Sequence, residues 1–452
     1  MYNNPKQIVL IGGGYASVWA YRSIIDELLL DMIAGLVEIK IICPDEFHVF
    51  HGWTAECLVG IVGDENRLSR LTEIFKYAEV IKGKAVYIDP ESKMINVALG
   101  SGAKRMVSYD RLLLGTGSTD SSSVEGIERY AFRLKSEDAY CATKRQIKYL
   151  LEKAVVSNRL KKTTRFIIAG GGFTGLEIAS NLAELIQLLK RQYPALQHAD
   201  ISIYLINSKK NLLPDLPSNF KRIRKYSENT LRKYGIDIIN QTKITRVTEH
   251  GVFLSNGTYM ESDMIISTIG QVRTIIPGTE NLDRDNENKI FTNSFLQTIN
   301  YPDIWVCGDS SNARSSRYKS TCPSNALWAI KQGEHAGRNI ARSMLAQSLK
   351  PFRYRGLGQC ASLGIGKGIG ELYGIQFTGW LAWIMRWIFF QHFMPSNKTM
   401  WREIKDWLIF FSSVKRNYLR LNASEGDAIF QTAHRRTKIL HRMHLLANSI
   451  QV

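Results

Sequence analysis

The stretch RFIIAGGGFTGLEIASNLAEL (165–185) decides the fold class. A short run of apolar and β-branched residues meets a glycine cluster, and apolar residues then recur at helical spacing. Gly170, Gly172 and Gly175 stand in the pattern G-x-G-x-x-G. The first glycine permits a tight strand-to-helix turn, the second lets backbone approach a pyrophosphate, and the third lets the helix pack closely on the strand. The helix start that follows offers unpaired N–H groups and positive potential to a phosphate. The same grammar occurs earlier in QIVLIGGGYASVWAYRSI (7–24), with Gly12, Gly14 and, in third place, Ser17. That serine loosens the helix–strand contact slightly and leaves the anion site intact. The first glycines of the two turns are 158 residues apart (170 minus 12). That is far too long for a solenoid repeat and suits two βαβ nucleotide units in separate domains. The expected fold is α/β, with two Rossmann-like dinucleotide-binding domains.

Two facing adenine dinucleotides let hydride pass from a nicotinamide to a flavin, the chemistry that needs both turns in one chain. The second strand of such a unit usually ends on an acid that holds the ribose hydroxyls. At the first site that position is Cys43, with Asp45 and Glu46 just beyond; at the second it is Asn207, followed by Ser208, Lys209 and Lys210. An acid repels a 2′-phosphate, whereas Asn-Ser-Lys-Lys can accept one. The expectation is that NADPH serves at least as well as NADH, unless the lysines are only a solvated turn.

A chain of 452 residues, 44% hydrophobic and 22% charged, is expected to fold as two or three globular domains. Its 59 Lys and Arg against 41 Asp and Glu give +18, which calls for an anionic partner: lipid, nucleic acid or phosphate-rich cofactor. No helix-turn-helix, zinc or ribonucleoprotein motif supports nucleic acid. The six cysteines (43, 57, 141, 307, 322, 360) form no C-x-x-C pair, which argues against a zinc ribbon or redox dithiol, and no metal is expected. Scattered cysteines and a start that leaves no room for a signal peptide read as cytosolic. No stretch offers about 20 uncharged apolar residues; the nearest, Phe377 to Met394, carries Arg386.

Further motifs widen the picture: YDRLLLGTGS (109–118), WVCGDSS (305–311), ALWAIKQ (326–332) and FRYRGLGQCASLGIGKGIGELYGIQFTGWLAW (352–383). With the glycine turns, they make residues 7 to 415 resemble the pyridine nucleotide–disulfide oxidoreductase superfamily. Within it the chain resembles the type II NADH dehydrogenases, which are NADH:quinone oxidoreductases. YDRLLLGTGS is similar to the superfamily's A-T-G motif, with Gly115 in place of Ala and Gly117 retained. WVCGDSS looks like its G-D motif, whose acid, here Asp309, meets the ribityl chain of FAD. The resemblance implies FAD held by Gly12, Gly14, Ser17, Cys43, Gly115, Gly117, Asp309 and Ala329. It implies NADH or NADPH held by Gly170, Gly172, Gly175, Asn207 and Lys209. Glu177 matches a family glutamate that would orient nicotinamide or deliver a proton to the acceptor. The family's A-Q-x-A-x-Q-Q run beside flavin and quinone is altered, with Leu327 and Lys331 replacing two glutamines and Gln332 kept. Leu327 cannot hydrogen-bond a quinone carbonyl, and Lys331, if near the isoalloxazine, would stabilise the reduced flavin.

The resemblance also implies two C-terminal amphipathic helices lying on the membrane. Trp401, Ile404, Leu408 and Phe411 share an apolar helical face, with Arg402, Glu403, Lys405 and Asp406 opposite, and Trp380, Trp383 and Trp387 give the preceding helix interfacial character. A dimer interface or a core helix would use the same pattern. Lys415, Arg416, Arg420, Arg435 and Arg436 suit anionic lipid at about 1 kcal/mol each. The expected layout is an FAD domain over 1–120, continued through a linker over 121–164. An NAD(P)H domain follows over 165–285, FAD-domain sequence again over 286–350, and a membrane-associating region with a basic tail over 351–452. The expected activity is hydride transfer from NAD(P)H to FAD and on to a quinone, at the cytoplasmic side of a membrane. Alternatives stay open: a small-molecule or protein acceptor, a sulfide:quinone reductase using Cys322 and Cys360, or a non-catalytic flavin redox sensor. A homodimer also stays open.

Overall fold

The computed structural model describes residues 4–120, 124–157, 163–314 and 321–412. β1 (Lys6–Ile11) runs through the first glycine turn into α1 (Tyr15–Ile33), and β2 (Val37–Cys43) returns parallel to β1, with Ile8 opposite Ile39. The short α2 (Thr54–Leu58) follows, then β3 (Glu79–Asp89), the antiparallel β4 (Met94–Leu99) and β5 (Lys104–Ser108), and β6 (Arg111–Leu114). The second unit repeats the plan with β7 (Thr164–Ala169), α3 (Phe173–Gln192), β8 (Ile201–Ile206), α4 (Lys221–Lys233), β9 (Ile236–Ile239) and β10 (Met264–Ser267). The chain then returns to the first sheet as β11 (Ile304–Val306), parallel to β6, and enters α5 (Ala326–Met344). A three-stranded antiparallel sheet, β12 (Gly358–Ser362), β13 (Gly368–Leu372) and β14 (Ile375–Gly379), leads into α6 (Trp380–His392) and α7 (Asn397–Ser412).

The first sheet has the order β11-β6-β1-β2-β3-β4-β5, and the second, wholly parallel, has the order β9-β8-β7-β10. This is a mixed α/β dinucleotide-binding fold. Central strands are buried on both faces: Ile8, Val9 and Leu10 of β1 and Phe166, Ile167 and Ile168 of β7 are fully enclosed. That is why both read as continuous apolar runs rather than alternating ones. α1 and α5 cross in backbone contact, because Gly333 and Gly337 face Ala16 and Ala20. A Cβ at either glycine would come within 2.3 Å of a carbonyl oxygen on α1. The start of α5 is thereby tied to the helix that opens at the first glycine turn.

Ser17 is fully buried, and its hydroxyl packs where a side chain at residue 115 would stand: a Cβ on Gly115 would lie 2.4 Å from Ser17 Oγ. The two departures noted above are thus one exchange of volume across the β6–α1 contact, so the expected loosening at Ser17 does not arise. Gly115→Ala is expected to destabilise by about 1–3 kcal/mol through overpacking. Ser17→Gly in the same chain should return most of that, as denaturant unfolding of the single and double variants would reveal. Additive losses would contradict the account.

The C-terminal helices turn part of their charged side toward the protein. On α7, Glu403, Trp407 and Phe410 face the protein, while Trp401 and Leu408, each 65% exposed, and Phe411 face outward. Asp406 accepts hydrogen bonds from Gly63 N–H (2.8 Å) and Asn66 Nδ2 (2.5 Å), so Glu403 and Asp406, two carboxylates of the side opposite the apolar face, dock the helix. On α6, Trp383 is buried edge-on against Trp407 at 5.3 Å and Trp387 is half-buried, leaving Trp380 and Ile388 exposed. Among the described residues no helix is long and apolar enough to cross a membrane. The basic residues from Lys415 to Arg436 lie outside the described residues.

Burial pushes the Glu403 carboxyl up to about 8, opposed by the hydrogen bond that Gln391 Nε2 donates to it. The folded state therefore holds a proton that the unfolded chain releases at the ordinary carboxylate value. This contribution to stability is full below that value and is lost as pH rises through about 8. Glu403→Gln is neutral at every pH, so its melting temperature should gain on the parent at pH 9 relative to pH 6. The same difference at both pH values would refute the buried proton.

Candidate functional site

The two glycine turns have nearly the same geometry. Gly12 and Gly170 lie in the left-handed region (φ 107° and 119°), which favours glycine. Gly14 and Gly172 cap α1 and α3 in extended conformations (φ/ψ −83°/−174° and −81°/−175°). Neither helix has a side-chain cap or an acid in its first turn. A Cβ at Gly14 or Gly172 would meet nothing within 4 Å, whereas one at Gly175 would lie 1.9 Å from Gly170 O. The third glycine serves protein packing. The second leaves an open cradle edged by unpaired N–H groups, which fits the pyrophosphate of a dinucleotide. Gly117, with φ 65°, likewise has open space beside it.

The flanking residues are arranged differently from the sequence expectation. Cys43 is packed beneath Gly13, and burial pushes its thiol up to about 11, so it offers no charge to a ribose. Asn207 is buried, and its Nδ2 donates to Lys209 O (2.9 Å), Asn211 O (3.0 Å) and Asn240 Oδ1 (2.8 Å). It organises the loop after β8 rather than facing a cofactor, while Lys209 and Lys210 are exposed. Asp309 accepts from Ser118 Oγ at 2.5 Å and lies 3.5 Å from Lys135 Nζ; its carbonyl accepts from Arg273 Nε at 3.1 Å. Ala329 packs against Gly308 of the same motif.

A cavity of about 1180 Å³ opens beside the second turn. Its walls come from the segments at Gly172–Gly175, Gly270–Arg273, Pro323–Leu327 and Leu357–Cys360, and from Ala382, Met385, Arg386, Phe389 and Phe390 on α6. The start of α5 is capped by Asn325, whose Oδ1 accepts from Trp328 N–H at 3.1 Å. Leu327 lines this cavity. Lys331 and Gln332 do not. Lys331 Nζ pairs with Glu334 at 2.9 Å and sits over the Phe393 ring. Gln332 is buried, and its Oε1 accepts from Gly308 N–H at 2.7 Å. Lys331 shares the face of Leu327 but lies about one turn (~6 Å) farther along α5, whereas Gln332 is turned round the helix toward Gly308.

Sequence reading missed the group that ties three elements together at the cavity wall. Arg386 donates to both oxygens of Glu56 on α2 (2.8 and 3.2 Å) and to Gly52 O (2.8 Å), and it reaches Glu177 on α3 at 3.0 Å. Arg386 and Glu56 are almost wholly buried. Glu177 Oε1 also accepts from Ser362 N–H at 2.8 Å. One guanidinium carries a single charge against two carboxylates, of which Glu56 is fully buried and Glu177 partly so. Burial, with repulsion from Glu56, raises the Glu177 carboxyl to about 7 against the opposing pull of Arg386. The cluster can therefore hold or release a proton near neutral pH. Cys360 lines the cavity and Cys322 is buried beside α5. Burial pushes both thiols up to about 12, away from nucleophilic chemistry.

Comparison with known proteins agrees with this geometry. Residues 6–333 match the pyridine nucleotide-disulphide oxidoreductase family. The chain is 23% identical over 393 residues to the type II NADH:quinone oxidoreductase of Staphylococcus saprophyticus, covering 85% of this chain and 94% of that relative. Among solved structures it is similar in fold to NDH2 from Plasmodium falciparum in complex with NADH. That match has a TM-score of 0.80 and 16% identity and covers 92% of this chain and 100% of that one. It is also similar to the sulfide:quinone oxidoreductase of Aquifex aeolicus, with a TM-score of 0.68, 16% identity and coverage of 92% and 97%.

Proposed function

This chain belongs to the pyridine nucleotide-disulphide oxidoreductase family, and on that premise we propose that it is an FAD-dependent NAD(P)H dehydrogenase passing electrons to a quinone at a membrane surface. The observation that carries the reading is the pair of alike glycine turns. The second opens on the cavity that also receives the start of α5 and the apolar side of α6. The name carried by the Staphylococcus relative supports the same activity.

In this reading residues 1–120, 121–164 and 286–350 form an FAD domain. Gly12 and Gly14 cradle the FAD pyrophosphate and Asp309 receives the ribityl hydroxyls, with Gly115, Gly117, Ser17, Cys43 and Ala329 shaping the pocket. Residues 165–285 form the NAD(P)H domain, where Gly170, Gly172 and Gly175 hold the nicotinamide dinucleotide. Bound FAD would accept hydride from the nicotinamide and return two electrons to the acceptor. The protein aligns the partners, excludes water and manages the proton. In this reading Glu177, whose carboxyl burial raises and which Arg386 contacts, delivers that proton. Leu327 and the phenyl rings of α6 give the acceptor an apolar berth in place of the family's amide. Lys331 would act on the flavin only through its field. Exposed Lys209 and Lys210, with no acid at residue 207, favour NADPH at least as much as NADH.

The outward apolar face of α6 and α7 (Trp380, Ile388, Trp401, Leu408, Phe411) supports docking on the cytoplasmic face of a membrane, with the basic residues beyond 412 as anionic-lipid contacts. Flavin release and identification, followed by steady-state oxidation of NADH and NADPH with a soluble quinone, tests the enzymatic reading. Quinone-dependent turnover supports it, and turnover only with a non-quinone acceptor moves it to the rival class. Co-sedimentation with vesicles tests the surface: self-association without vesicle binding would assign the apolar face to a homodimer instead.

A further inference from the structure

A buried cation near the second turn has no ion-pair partner among the described residues. Arg224, on α4, is 9% exposed. Its guanidinium serves one loop: Nε donates to Leu212 O (3.1 Å), Nη1 to Pro217 O (2.9 Å), and Nη2 to Leu213 O (3.2 Å) and to Leu216 O. Leu213 takes a left-handed conformation (φ 54°) that L side chains rarely adopt, and its N–H donates to Gly171 O at 2.8 Å. Gly171 is the middle glycine of the second turn. From the other side Asn207 Nδ2 reaches Asn211 O, and Asp215 on the same loop lines the cavity beside Gly172. The loop following β8 is thus held at a fixed distance from the glycine turn, chiefly by one side chain.

Two consequences follow from the chemistry of that side chain. A guanidinium spreads its donors in a rigid plane, so several carbonyls converging on it fix a loop more tightly than a single ammonium would. Carbonyl dipoles solvate the charge without cancelling it, so its field acts on an anion at the turn, against the opposing Asp215 carboxylate that lines the same cavity. We propose that Arg224 is a positioning residue for the nicotinamide nucleotide: it holds loop 211–217 against the second glycine turn and lends an unneutralised positive charge to the anionic cofactor. This rests on the reading of that turn as the NAD(P)H site.

The test uses the FAD-loaded protein and anaerobic flavin reduction by NADPH and NADH across a concentration series, at low and high salt. Arg224→Met should raise the half-saturating concentration about tenfold while the limiting rate stays within about twofold, because the lost interaction acts on binding and not on hydride transfer. The salt sensitivity of half-saturation should fall in Arg224→Met and persist in Arg224→Lys, which keeps the charge but loses the fork. If the methionine variant does not fold, the lysine variant decides through a smaller rise in half-saturation at unchanged limiting rate. Unchanged half-saturation, or a loss confined to the limiting rate, overturns the proposal. A parent protein whose flavin neither nucleotide reduces would overturn the site assignment beneath it instead.

Discussion

Arg386→Met is expected to yield a protein about 3–5 kcal/mol less stable than the parent, since it removes a buried guanidinium that contacts two carboxylates, one of them fully buried. Glu56 is almost wholly buried and loses both of its charge-assisted hydrogen bonds. Glu177 loses the interaction that opposes its upward shift, so its carboxyl should rise further and stay protonated to higher pH. With a folded value above that of the unfolded chain, the contribution of Glu177 is full at acid pH and fades as pH rises. The deficit of the variant should therefore grow from pH 6 to pH 8. Denaturant unfolding at both values checks this. Adding Glu56→Gln should recover much of the loss, because a neutral amide tolerates burial better than an unpaired carboxylate. A single-variant loss below about 1 kcal/mol, the range of a surface pair, would mean that the triad is solvated.

Gly14→Val and Gly172→Val are expected to remove cofactors while leaving the fold intact. A Cβ at either position meets no protein atom within 4 Å, so thermal unfolding should change little beyond the loss of ligand stabilisation. The added side chain would instead occupy the cradle where backbone must approach the pyrophosphate. The first variant should purify without flavin. The second should keep flavin that dithionite bleaches and NAD(P)H does not, with affinity for the nucleotide lowered by about 100-fold or more. Gly175→Ala is the contrast. Its Cβ would lie 1.9 Å from Gly170 O, so that variant should lose stability rather than selectively lose a ligand. Flavin retained at parent levels in Gly14→Val would overturn the assignment of the first turn.

The glycine turns were legible because everything they need is local: a strand, three spaced residues and a helix start lie within about a dozen positions. The contacts that complete the site are not local. Ser17 and Gly115 each read as a lone departure, and only the packing of β6 on α1 reveals that one fills the space left by the other. Arg386 read as a flaw in an apolar run, because its partner Glu56 lies 330 residues away in sequence. On α7 the periodicity separated an apolar face from a polar one but could not tell which is inside. Glu403 and Asp406 turn inward because Gln391, Gly63 and Asn66 supply partners there. On α5, Lys331 shares the face of Leu327 but lies one turn beyond the cavity, and Gln332 is turned toward Gly308, a placement set by packing that the sequence does not display. Cys43 and Asn207 were correctly found at strand ends, yet both are committed to packing the turns beside them.

The most direct test of two nucleotides working on one acceptor is anaerobic mixing of the FAD-loaded protein with NADH and, separately, NADPH, followed by a soluble quinone, with flavin absorbance recorded throughout. Rapid bleaching by at least one nucleotide is expected, with full recovery on adding quinone and NADPH no poorer than NADH. Bleaching without recovery would retain the dehydrogenase and reject the quinone. Flavin untouched by either nucleotide would contradict the central claim that the second glycine turn delivers hydride.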